Sequence, residues 1–396
     1  MSLSVDEVAG NSDLLTQILI RLPTKSLYRF KSVSKQWLSL ISSHRFSLHH
    51  FTQNTSFGLL LIAPDYKIKY KLLSLQPQLQ DSSKVNPPPP YFPLELDNEL
   101  SGTQIIQSCN GLFLCSSIDI TYDIPLCKYY VCDPVTKKHK SLKPPPNSWV
   151  SENEEVGFWL VLAFDPLKSV HKYRVVCVRV HNSDSMGMVH SISVYDSEMG
   201  NWRLVSDDPF QVPETVRFYK GVYWNGAILW PNINKFDVSS YDIYDFLCFD
   251  IDQERFRTIP MPSVDRKIEF AECEYFGESC GHLHLVYKDK SGEFYVVEME
   301  KDYSKLVIKS HFSVRDILGE APPGPVLVLN LVSGVDEEES YVLLSESGRI
   351  FSCKFKNKSL KEVCETPAAA ISKVLFQHSW CSNIYYHQYI ETLFCV

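Results

Sequence analysis

The sequence predicts a mainly β chain headed by a small all-α module. Three observations point there. Apolar residues recur at helical spacing between residues 11 and 42. From about residue 55 the pattern changes to short runs rich in Val, Ile, Leu, Tyr and Phe, broken by turn residues. The chain also carries 21 Tyr and 22 Phe, side chains that pack well on a pleated surface. Its 396 residues suffice for one small unit followed by one large one.

The first helix has Asn11, Ser12 and Asp13 as capping candidates. Leu14, Leu15, Ile18, Leu19 and Leu22 then build one broad apolar stripe. Pro23 ends it, because proline has no N–H to continue the ladder. Thr24 is expected to cap a second helix with Leu27, Phe30 and Val33 on its inner side. Ser34 is expected to cap a third, in which Trp37, Leu40 and Ile41 share a face at i, i+3, i+4. So few residues cannot bury all these large side chains among themselves. A stripe left over is the physical argument that the module docks on something.

Strands are expected at Phe57–Ala63, Leu112–Ser116, Tyr129–Cys132, Tyr173–Val180, Ile192–Tyr195, Val222–Trp224, Phe246–Phe249, Leu283–Tyr287, Phe294–Met299, Tyr341–Leu344 and Ile350–Phe355. Asn86–Pro93 and Lys143–Asn147 are proline-rich and are expected to be loops. Two features repeat weakly. A glycine opens a strand at Gly111, Gly221, Gly281 and Gly348. An apolar strand ends in Asp133, Asp196 or Asp250 before a polar turn and another strand, the Asp side chain capping the turn. Repeated hairpins at intervals of several tens of residues predict a β-propeller of about six to seven blades. A pair of β-sandwiches is the alternative.

Charge and motif content exclude several functions. Residues 1–50 carry +3 and the remainder −11 of the formal −8, so a mildly basic helical head sits on an acidic body. The head suits an acidic partner, and the body lacks the basic patch that nucleic acid needs. No run is long and apolar enough for a bilayer, and the N-terminus lacks the features of a secretory signal, so neither a membrane nor the secretory pathway is expected. The twelve cysteines are scattered without C-x-x-C spacing, as in a reducing cytoplasm or nucleus. His282-x-His284 places two imidazoles on one face of a strand, but no neighbouring acid or cysteine in sequence completes a metal shell. Glu337–Glu339 is expected to be a solvated loop, and the Asp-Pro pairs at Asp133 and Asp165 to be turn chemistry. No phosphate-binding, nucleophile-elbow or dinucleotide glycine pattern occurs. Catalytic residues, metal and cofactors are all expected to be none.

Residues 11–46, NSDLLTQILIRLPTKSLYRFKSVSKQWLSLISSHRF, resemble an F-box of the plant type. Most of the chain beyond residue 55 resembles the F-box-associated domain through SCNGL (Ser108–Leu112), the segment from Cys132, LAFDP (Leu162–Pro166) with KYRVVCV (Lys172–Val178), and GVYWNGAILW (Gly221–Trp230). One departure is that Gly10-Asn11 stands where many F-boxes have Leu-Pro, although Asn still caps a helix.

The resemblance implies an F-box over residues 8–50 and a propeller-like recognition domain over 51–396. It implies a substrate-recognition subunit of an SCF-type ubiquitin ligase, with the F-box on a Skp-type adaptor linked to a cullin–RING ligase, and the propeller on a protein substrate of unknown identity. The matching docking positions are Leu14, Leu15, Ile18, Leu22, Pro23, Leu27, Val33, Ser34 and Trp37, with Trp37 the favoured anchor. Two rivals stand beside it: a propeller that binds or modifies a small molecule or glycan, and an F-box protein acting outside a cullin ligase.

Overall fold

In a computed structural model, the described residues are 11–53, 57–63, 69–75, 91–92, 103–119, 126–145, 157–183, 187–205, 210–213, 216–232, 246–260, 263–264, 270–313, 326–332, 340–365 and 386–394. Four helices come first: α1 (Ser12–Leu19), α2 (Thr24–Phe30), α3 (Lys35–Ile41) and α4 (His44–Gln53). Asn11 caps α1, its side chain accepting from the Asp13 and Leu14 amides at 3.0 and 3.2 Å. Ser34 caps α3 through the Trp37 amide. Thr24 does not cap α2: Pro23 holds the cap position, and the Thr24 hydroxyl donates to the Glu391 carbonyl instead. The fourth helix is unexpected from sequence, because HRFSLHHFTQ buries only Phe46, Ser47 and His50 and so shows a weak apolar stripe.

The rest forms six sheets among the described residues, antiparallel throughout except where β16 lies parallel to β20. The chain enters through β1 (Phe57–Ala63), β2 (Lys69–Ser74) and β3 (Tyr91–Phe92). Blade one is β4 (Thr103–Cys109), β5 (Leu112–Asp119), β6 (Leu126–Cys132) and β7 (His139–Leu142). Blade two is β8 (Gly157–Phe164), β9 (Tyr173–Ser183), β10 (Gly187–Asp196) and β11 (Asn201–Leu204). Blade three is β12 (Val222–Trp224), β13 (Ala227–Trp230), β14 (Phe246–Asp250) and β15 (Arg255–Ile259). Blade four holds β16 (Ser263–Val264), β17 (Phe270–Ser279), β18 (His282–Asp289), β19 (Glu293–Met299) and β20 (Lys305–Ser313). Blade five is β21 (Val326–Val332), β22 (Tyr341–Glu346), β23 (Arg349–Lys354) and β24 (Leu360–Glu365). β25 (Tyr386–Ile390) returns to pair with β1, so blade six closes the ring with strands from both ends of the domain. Closure of this kind leaves short, protected sheet edges.

Every strand expected from sequence coincides with an observed one, Ile350–Phe355 running a single residue past the end of β23. Of the two proline-rich segments, Tyr91–Phe92 forms β3 against Tyr70 and Lys71 rather than loop, while residues 86–90 and 93 lie outside the described residues. Residues 143–145 follow β7 without regular structure; 146 and 147, like the Glu337–Glu339 run, lie outside the described residues.

The repeats have a backbone cause. The β4–β5, β12–β13 and β17–β18 hairpins turn on Asn110-Gly111, Asn225-Gly226 and Cys280-Gly281, with positive φ at both residues of each pair. The blade-three turn glycine is therefore Gly226, and not Gly221, whose φ is an ordinary −64°. Gly221 is required for a different reason: a Cβ there would lie 2.5 Å from Trp230 Nε1. Asp133, Asp196 and Asp250 do cap turns, each Oδ1 accepting from amides two and three residues on. The signature segments also join blades. Asn110 Nδ2, in blade one, donates to the Phe164 carbonyl of blade two at 2.7 Å, while the fully buried Trp230 fastens the turn that leads into blade three, its Nε1 donating to the Phe218 carbonyl.

Candidate functional site

The helical module is built round Leu15, Leu19, Ile20, Leu27, Ile41 and Phe46, and one residue from elsewhere completes this core: Leu393, in the segment after β25. The sequence-level expectation that the module cannot close on itself is met by this insertion. The whole segment Glu391–Phe394 straps the module to the propeller. Tyr28 OH lies within hydrogen-bond reach of the Thr392 and Phe394 carbonyls, at 3.4 and 3.3 Å, and Lys25 pairs with Glu391 at 3.3 Å. Phe394 is buried against Phe51 of α4 and Phe164 of β8, with ring centroids 5.2 and 5.6 Å away. Thr392 lies so close to the Asn110-Gly111 turn that a Cβ on Gly111 would meet Thr392 Cγ2 at 2.4 Å.

Two buried polar groups serve the same junction. His50 Nε2 donates to the Leu22 carbonyl at 2.8 Å, and burial pulls its pKa below the ordinary value. Asp133 has its carboxyl pushed up by burial, opposed by hydrogen bonds from Thr136, Val135 and Tyr28. The aspartate of a propeller turn thus also receives a side chain of the helical module.

These contacts decide which predicted docking residues are available. Leu15 and Leu27 are buried in the module's core and offer no surface. Leu14, Leu22 and Trp37 are half-buried, Trp37 standing edge-on to Phe30 with centroids 5.5 Å apart. Pro23 and Ser34 are exposed, as are Ile18 at 50% and Val33 at 58%. The sequence places Val33 on the inner side of α2; in the fold it follows the end of that helix and points outward.

Sequence reasoning missed Leu38, which is 47% exposed. Trp37, Leu38, Leu40 and Ile41 fall within five residues. That is more apolar surface than one face of a two-turn helix buries, and this excess was the available signal. Three of the seven large apolar residues left exposed among the described residues lie in this short module. Arg21, Lys25, Arg29 and Lys35 are exposed on the same helices and loops. The module therefore offers separate large apolar side chains in a basic surround, while its opposite commitments are to the propeller.

The His282-x-His284 pair has the acidic neighbour that sequence spacing did not reveal. Glu298, across on β19, meets His282 Nδ1 at 2.9 Å, His284 Nε2 at 3.6 Å and Lys309 Nζ at 3.2 Å. Burial alone would raise the Glu298 carboxyl, but hydrogen bonds from both histidines and the Lys309 charge hold it well below the carboxylate range. Among the described residues no group of three or more His, Cys, Asp or Glu is arranged to hold a metal ion. A carboxylate shared by a lysine and a half-exposed histidine is accounted for by ion pairing.

Comparison with known proteins agrees with both halves of this architecture. Residues 11–49 match the profile of the F-box domain, and residues 66–296 match that of the F-box associated beta propeller domain. F-box protein At5g07610 of Arabidopsis thaliana is 30% identical over 391 residues, covering 92% of this chain and 87% of that protein. Putative F-box/kelch-repeat protein At3g17540 of the same plant is 25% identical, covering 76% of this chain and 72% of its own length. F-box/kelch-repeat protein At3g23880, also from Arabidopsis thaliana, is 27% identical over 63% of this chain and 65% of that one.

Proposed function

The chain belongs to the F-box proteins that carry an F-box-associated β-propeller, and from that membership we propose that it is a non-catalytic substrate-recognition subunit of an SCF-type ubiquitin ligase. The helical module docks on a Skp-type adaptor, and through it on a cullin–RING ligase, in the cytoplasm or nucleus. The propeller holds a target protein. The bond chemistry belongs to the ubiquitin-charged enzyme. This subunit contributes effective concentration and orientation, which convert a bimolecular encounter into a reaction within one assembly.

The observation that carries this reading is the sorting of the module's apolar residues. Those that face the strap and the core are buried, while Ile18, Val33 and Leu38 remain outside in a module whose net charge is basic. Exposed apolar side chains of this size in a small module serve association. Basic residues round them favour an acidic partner and speed the encounter. Trp37 completes the set as a half-buried aromatic at the edge of that surface.

The test is co-purification and titration with a Skp-type adaptor of the intact chain, Ile18→Asp, Leu38→Asp and the double variant. Binding by the intact chain, weakened about tenfold or more by each single change with the propeller still folded, is the expected result. Adaptor binding that is absent from the intact chain, or unaffected by the double variant, would refute the docking assignment.

A further inference from the structure

The innermost strands β4, β17, β21 and β25, with the residues leading into β12, enclose an axial cavity of about 360 Å³. That lies within the range of roughly 300–1,000 Å³ usual for small-ligand sites. Neither adaptor docking nor the strap uses it.

Its wall is specific in what it offers. Glu278, near the end of β17, lines the cavity half-buried, and its Oε1 accepts from the Gly281 amide at 2.6 Å. No cation forms an ion pair with it among the described residues. Its enclosure by protein pushes the carboxyl pKa up to about 6, against the Gly281 amide and the more distant His282. His387, on β25, is 3% exposed, and burial pulls its pKa down to about 3, so the ring is neutral. Its Nε2 has no hydrogen-bond partner among the described residues, but the atom is itself buried and presents no surface to the cavity.

The hydroxyls of Tyr275 and Tyr386 are already spent on Asn330 Oδ1 at 2.9 Å and the Val328 carbonyl at 3.3 Å, so what these residues offer is ring surface. The charged side chains of the wall are Glu274 and Glu278 against Lys220.

We propose that this axial cavity binds an organic cation bearing N–H donors, an alkylammonium group supplied by a free polyamine or by a lysine side chain of a bound protein. An ammonium group supplies a counter-charge that no cation among the described residues gives Glu278, and a carboxylate partly withdrawn from water without one is costly. Tyrosine rings favour a cation over a neutral group of the same size. An anion would meet two carboxylates and one lysine. A neutral polyol would leave Glu278 uncompensated.

This proposal is independent of adaptor docking, so its failure would leave that reading untouched. The experiment is calorimetric titration of the full chain, in complex with its adaptor if that is how it purifies. The ligands are spermidine, the lysine analogue Nα-acetyl-lysine methylamide, and uncharged octane-1,8-diol, each up to about 10 mM. Binding of either amine, absent for the diol, and weakened about tenfold or more in Glu278→Gln and in Glu274→Gln, is the expected result. The tighter amine identifies the source. The exposed-site variant Asp302→Asn should bind like the wild type. No amine binding, equal binding of the diol, or amine binding that both cavity variants retain would overturn the proposal. If one cavity variant does not fold, the other and the amine–diol comparison on the wild type still decide.

Discussion

Replacing Leu393 by alanine tests how the two parts of the molecule are joined. Leu393 belongs in sequence to the segment after the last propeller strand, yet it is buried among Leu15, Leu19, Leu27, Ile41 and Phe46 of the helical module. A buried Leu→Ala change costs about 2–5 kcal/mol, depending on how well the site collapses. Here the cavity would open between elements held partly by polar contacts, so collapse is easy and a value of about 3 kcal/mol is expected. That is roughly a hundredfold in the opening equilibrium of the module. Hydrogen exchange reads it directly, because local unfolding is scored amide by amide. Amides of α1–α4 should exchange about a hundredfold faster in Leu393→Ala, with β17–β19 of blade four unchanged. The control Leu229→Ala, in the buried core of blade three, should do the opposite. Helix amides that keep wild-type protection in Leu393→Ala would show that the segment does not complete the module's core. Equal loss of protection in helices and propeller would show that the two unfold as one unit.

Three further outcomes are expected. Leu27→Ala should abolish adaptor binding by unfolding the module, at a cost of about 2–5 kcal/mol; Ile18→Asp should weaken it about tenfold or more with the helical circular dichroism intact. Gly111→Ala combines a φ of +94° with a Cβ 2.4 Å from Thr392, whereas Gly281→Ala combines a similar φ of +82° with open space. Both pay the backbone cost of about 1–2 kcal/mol, and Gly111→Ala should lower the urea midpoint further; equal losses would remove Thr392 from the explanation. Acidification should destabilise the fold. His387 is neutral when folded, with its pKa pulled down to about 3, but takes up a proton near 6.5 once unfolded. Its contribution is complete above pH 6.5 and is lost as pH falls toward 3, about 2 kcal/mol being gone at pH 5. The depressed His50 and His284 act in the same direction. Glu278 opposes them, since its enclosure makes the carboxyl take up a proton more readily in the folded chain. Glu278→Gln should therefore steepen the acid loss measured by urea unfolding at pH 7 and pH 5, and a flat profile in the wild type would contradict the burial of these histidines.

The strand sequence and the family motifs were legible because both rest on local chemistry. Period-two apolar runs bounded by Asp and Gly turns mark hairpins wherever they occur, and the Asp133, Asp196 and Asp250 caps formed as their spacing required. The caps of α1 and α3 were equally local. Spacing alone leaves the blade count between six and seven, because the first and last strands of the domain share one sheet and neither by itself reads as a blade.

What only the tertiary structure decided is where each apolar residue of the module goes. Leu15 and Ile18 lie on one helical stripe, and the pattern puts Leu27 and Val33 on the same inner side, but Leu393 and the propeller cover one member of each pair and leave the other outside. Glu298 likewise reaches His282 and His284 only through strand pairing, and Glu278 and His387 share an axial cavity only because the ring closes. Sequence determined the elements, since turns, caps and periodicity act over a few residues. Burial, charge pairing and the choice of free surface are set by contacts between residues hundreds of positions apart, such as Tyr28 with Phe394, and local pattern carries no information about them.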